Sequence, residues 1–132
     1  MGAVRIATVT FRNLCAKNLY VDVSEVKCIY PQNQGTSPLD LEGYYAQNDE
    51  KTVYLDPKDS GDCFWHDSIY RITVKYQDGA QALDLYDLAL YCETNFWEAS
   101  GNPGQQAGVA QLTLLTPPMS EQSWVLEADN PS

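Results

Sequence analysis

From Ile69 to Tyr76 apolar and polar positions alternate, with Tyr70, Ile72, Val74 and Tyr76 on one phase and Arg71, Thr73 and Lys75 on the other. That two-residue period is the mark of a half-buried strand. Asp78-Gly79 follows where a tight hairpin needs positive φ, which predicts a return strand over about Ala82–Tyr91. Leu83 and Leu85 share one phase and Leu88 and Leu90 the other, so a bulge is expected near Asp87. A helix over 80–90 would also align Leu83, Tyr86, Asp87 and Leu90, but the Asp-Gly turn favours the strand.

The rest of the chain repeats this grammar. Val4–Phe11 is rich in Val, Ile, Thr and Phe and predicts a first strand, with turn residues over Asn13–Asn18. Leu19, Val21 and Val23 alternate with Tyr20, Asp22 and Ser24. Pro31–Pro38 cannot pair in a sheet and predicts a loop, as does Asp56–Asp62. Between them stand short apolar pieces at Tyr44-Tyr45 and Val53–Leu55. Thr94–Gly108, with its Gly101-Asn102-Pro103-Gly104 run, predicts a long loop; Val109–Leu115 predicts a strand stopped by Pro117-Pro118, and Trp124–Leu126 a short last one. Seven or eight short strands with frequent turns point to an all-β, single-domain antiparallel β-sandwich over residues 1–132.

Composition narrows the function. A hydrophobic fraction of 44% suits a folded core. Eighteen acids against eight bases give a net charge of −10, which argues against nucleic acid and against anionic lipid, since both need clustered cations. Neutral or zwitterionic lipids, sugars and proteins stay open. The start Met1–Arg5 has no apolar leader stretch, and no run approaches the roughly 20 apolar residues of a spanning helix. The expectation is a soluble chain, cytosolic as made.

Candidate chemistry is sparse. His66 is the sole histidine, with Ser60, Asp62, Asp67 and Ser68 close in sequence. Neighbours on one segment seldom converge as a triad, and no nucleophile elbow is present. Asp56, Asp59 and Asp62 recur every third residue beside Gly61, but without a calcium-loop pattern they read as solvated turn residues. Cys15, Cys28, Cys63 and Cys92 lack zinc spacing. Buried thiols and one or two disulfides both stay open, with three connectivities permitted. The reading is no enzyme, no metal and no cofactor.

The aromatics carry more. Nine Tyr, three Trp and three Phe include the adjacent pairs Tyr44-Tyr45, Phe64-Trp65 and Phe96-Trp97. On a strand one member of each pair must leave the inner face, whereas in a loop both can stand at the surface. Exposed rings of this kind suit lipid head groups or sugars. Candidate ligand-binding residues are therefore Trp65, Phe96, Trp97, Tyr44 and Tyr45, with the Phe96-Trp97 pair favoured by its long loop.

Leu90–Asn102, with an acidic residue, an aromatic loop and a Ser-Gly-Asn step after a strand, resembles the corresponding segment of aegerolysins. Ile6–Asn13 is similar to that family's first strand and its Asn turn. Thr94-Asn95 stands where the family has a proline, and Asp59–Cys63 replaces its glycine-rich stretch. The resemblance implies a β-sandwich that binds membrane lipid, sphingolipid among the candidates. It also implies a pore-forming, in some cases insecticidal, toxin that acts outside the cell with a larger perforin-like partner. Phe96 and Trp97 are the positions it carries over. The competing expectations are a lectin-like carbohydrate-binding domain and an acidic protein-interaction or immunity-type protein.

Overall fold

The computed structural model describes residues 6–93, 96–115 and 122–132. Nine strands are found there: β1 (Ala7–Asn13), β2 (Leu19–Lys27), β3 (Gly43–Tyr45), β4 (Glu50–Leu55), β5 (Ser68–Asp78), β6 (Gln81–Cys92), β7 (Trp97–Pro103), β8 (Gln111–Leu115) and β9 (Ser123–Asp129). They form a four-stranded sheet, β4-β1-β9-β8, and a five-stranded sheet, β3-β2-β5-β6-β7. The expected all-β sandwich is present. Its one departure from antiparallel order is β1 beside β9, which run parallel from Thr8 opposite Ser123 to Asn13 opposite Ala128.

Alternation drives the layering. Val9 and Phe11 of β1, Leu19 and Val21 of β2, Tyr70, Ile72 and Val74 of β5, and Trp124 and Leu126 of β9 all point inward and are buried. Between the layers the rings of Phe11 and Tyr45 meet edge to face at 4.8 Å, joining one sheet to the other. The buried phenols are satisfied: Tyr45 donates to Leu41 O and Tyr70 to Pro38 O, both at 2.6 Å. Asn13 closes the first turn, its Nδ2 donating to Lys17 O and Tyr45 O while its Oδ1 accepts from Cys15 N–H.

The β5–β6 hairpin forms around Gly79, at φ 62°. Its bulge comes two residues earlier than expected. Val74 faces Tyr86 and Lys75 faces Asp84, so Leu85 is the extra residue, and Leu85 and Tyr86 are consequently both buried.

The predicted loop over Thr94–Gly108 is corrected: β7 occupies its centre. As an edge strand it tolerates the glycine and proline that suggested a loop, because one of its sides has no ladder to maintain. Gly101 pairs with Leu88, and the Tyr86 side chain fills the space a Cβ at Gly101 would need. Val4, Arg5, Thr94, Asn95, Pro117 and Pro118 lie outside the described residues.

Candidate functional site

The two sheets share an end at which the chain runs from β2 toward β3, enters β5, turns from β6 to β7 and enters β9. Lys27 is opposite Ile69, Ser68 opposite Cys92, and Cys92 opposite Trp97, so these termini are level. Gln122, just ahead of β9, ties the layers there, its backbone O accepting from Thr8 N–H and its side chain from Trp97 N–H at 2.7 Å. Large apolar side chains exposed at this end are Tyr30, Phe64, Trp65, Phe96 and Leu115. We call it the aromatic pole.

Trp65 is its outermost member, 89% exposed. Its backbone sits at φ 76°, in the left-handed region that costs a bulky L-residue roughly 1–2 kcal/mol. Phe64, 55% exposed, meets it edge to face at 4.5 Å. The segment is clamped on both sides. Cys63 is disulfide-bonded to Cys28, with Cα atoms 5.5 Å apart. Cys28 O accepts from Ser68 Oγ at 2.6 Å and from Lys58 N–H at 2.8 Å, and His66 N–H donates to Cys63 O. Ile29 and Pro57 form an isolated bridge below. The rings stand on a fixed platform.

The cysteine question is thereby resolved as one disulfide plus two buried thiols, Cys15 and Cys92. Burial raises the Cys15 thiol pKa, which keeps it protonated and unreactive.

Among the five residues expected at a site, Trp65 and Phe96 are at this pole, with Phe96 62% exposed. Trp97 is corrected. It opens β7 opposite Cys92, and strand alternation turns it inward beside exposed Phe96, leaving it 3% exposed. Tyr45 is corrected for the same reason: its neighbour Tyr44 points out at 77% exposure while Tyr45 is sealed against Phe11. Tyr44 itself is at the opposite end of the five-stranded sheet, edge to face with Tyr20 at 4.8 Å. Phe64 and Tyr30 stand exposed at the pole as well, beyond the five residues expected from the sequence. Phe64 was legible as half of a loop pair, whereas Tyr30 follows the Cys28 anchor, which no local pattern reveals.

The pole's surroundings are acidic. Asp59, Asp62, Asp67 and Glu93 are exposed there, against Lys27 and the half-buried Lys58, whose ammonium stands 6.0 Å from the Tyr30 ring centre. Asp56 accepts from Asn33 Nδ2 at 3.2 Å. No cluster of three or more potential metal ligands occurs among the described residues, and no helix among them is long and apolar enough to cross a membrane. No family model matches this sequence, and no curated protein matches it. The chemistry of the pole is therefore read from its residues. Exposed rings beside an acidic rim are chemically suited to apolar or cation-bearing surfaces rather than anionic ones.

Proposed function

We propose that this protein is a non-catalytic membrane-binding module that docks on neutral or zwitterionic lipid through Phe64, Trp65 and Phe96. The observation that carries the reading is Trp65, held fully outward in a strained backbone conformation by a disulfide-anchored loop. Strain retained at an exposed ring with little packing to reward it is understandable where the ring meets a partner. Tryptophan suits the head-group region, where its ring is shielded and its N–H stays hydrogen-bonded.

The magnitudes are adequate for reversible docking. Burying three large rings is worth about 5–9 kcal/mol before ordering and desolvation costs. What survives those costs corresponds to micromolar or weaker affinity. The acidic rim disfavours phosphatidylserine and similar lipids, and suits choline-bearing head groups such as those of sphingomyelin and phosphatidylcholine. A persistent disulfide belongs in oxidising surroundings, which fits action outside the producing cell.

The likeness to aegerolysins extends the proposal: the protein is the lipid-recognising half of a pore-forming, insecticidal-type toxin, and a larger perforin-like partner supplies the membrane-spanning barrel. Vesicle co-sedimentation across lipid classes tests the first step. Binding to phosphatidylcholine vesicles, with or without sphingomyelin, that is lost on Trp65→Ala supports it; equal binding by that variant refutes it. Dye release that requires a co-expressed perforin-like protein tests the second.

A further inference from the structure

At the end of the five-stranded sheet remote from the aromatic pole, β2, β3, β5 and β6 enclose a cleft of about 660 Å³. Ser68 and Lys75 are seven residues apart on β5, so the two sites are separated by about 23 Å along the strand. Tyr20 and Tyr44 line it with their rings, Tyr76 borders it from the core side, and Asn18, Gln77, Lys17 and Lys75 supply polar groups.

The lysines are the informative part. The chain has only eight Lys and Arg against eighteen acids, yet two of the eight line this cleft, both half-buried. Lys17 has no carboxylate within ion-pair distance among the described residues, and its ammonium lies 5.6 Å from the Tyr76 ring centre. Lys75 reaches Asp84 only at 3.8 Å. A volume of this size accepts one or two sugar rings. Phenol faces pack on the apolar side of a pyranose, while amide groups and ammonium hydrogens bond hydroxyls.

We infer that the cleft is a binding site for an acidic saccharide, its ring against Tyr20 and Tyr44 and its anionic group drawn by the cleft's two lysines, Lys17 and Lys75. The overall negative charge repels free inorganic anions, so ring packing and charge pairing must act together. A neutral sugar leaves the Lys17 ammonium without a counter-charge among the described residues and Lys75 with only its long contact to Asp84. The site does not depend on the lipid reading, because its ligand approaches the opposite end of the molecule.

An array of matched neutral and acidic oligosaccharides, beginning with lactose and sialyllactose and including sulfated glycans, tests this. The expected result is retention of carboxylated or sulfated members and not of their neutral counterparts, the two acidic arms distinguishing which anion is preferred. Titration of the retained glycan should show affinity falling at least tenfold for Lys75→Gln and for Tyr44→Ala, and with added salt. Both side chains are on the surface or its margin, and circular dichroism verifies that the variants fold. Trp65→Asn should leave this affinity unchanged, so the two sites fail separately. Retention of neutral glycans equally well, no acidic glycan retained, or unchanged affinity in folded Lys75→Gln and Tyr44→Ala would overturn the assignment.

Discussion

Cys28 and Cys63 are joined by a disulfide two residues ahead of Trp65, so the ring most exposed to solvent is also among those most firmly anchored to the sheet. The crosslink spans a sequence separation of 35, for which chain-entropy reasoning gives a stabilisation of about 3–4 kcal/mol. Cys28→Ser/Cys63→Ser should lower the urea unfolding free energy by that order and weaken vesicle binding, since the rings lose their platform. Equal stability of the variant and the oxidised protein would refute the first effect. Equal vesicle binding would refute the second.

Trp65 should behave unlike a structural tryptophan. Truncating a buried aromatic costs about 3–5 kcal/mol, but Trp65 is outside the core and at φ 76°. Asn tolerates that conformation better. Trp65→Asn is expected to leave stability unchanged or raise it by up to about 1 kcal/mol while abolishing lipid binding. A loss of several kcal/mol in urea melts would show that the ring serves packing instead.

Gly101 illustrates the opposite kind of constraint. A methyl group there collides with the Tyr86 hydroxyl and ring edge, and Tyr86 is buried. Gly101→Ala should destabilise by about 1–3 kcal/mol, the usual cost of overpacking. An unchanged denaturation midpoint would mean that the Tyr86 ring moves aside freely.

Alkaline pH should unfold the protein through Tyr45 and Tyr70. Burial, first, and then nearby Asp49 for Tyr45, raise its phenol pKa well above the ordinary value; burial, then Tyr45, Asp40 and Glu42, do the same for Tyr70. In the unfolded chain both ionise near pH 10. Above that pH the unfolded state binds fewer protons than the native one, so stability is flat below it and falls as pH rises. The slope is up to about 1.4 kcal/mol per pH unit for each tyrosine. Urea midpoints from pH 8 to 11 measure this, and Tyr45→Phe should make the fall shallower.

Much of the scaffold was legible because strand alternation and turn residues are local signals. The β5–β6 hairpin was readable from Tyr70, Ile72, Val74 and Asp78-Gly79. Strand alternation separates Tyr44 from Tyr45 in β3, whereas Phe96 and Trp97, expected to stand out together on a loop, are divided because β7 begins at Trp97. Which member of each pair faces out was not legible, because the phase at β3 and at the start of β7 depends on pairing with Leu19 and Cys92. The Gly-Asn-Pro-Gly run hid β7, since an edge strand permits residues that a central strand excludes. Non-local features were out of reach. Cys28 meets Cys63 only because Lys27 registers with Ile69, and the tyrosine–lysine cleft exists only because Tyr20 lies across from both Tyr44 and Lys75.

The most direct measurement is quenching of tryptophan emission by phosphatidylcholine carrying bromine or spin label at graded acyl depths. Trp97 and Trp124 are buried at 3% and 5% exposure, so a response to lipid reports Trp65. The account predicts a blue-shifted emission on vesicle addition, quenched most by labels nearest the head group, and no response from Trp65→Asn. Emission from vesicle-bound protein that is insensitive to every label, or a response that persists in Trp65→Asn, would contradict it.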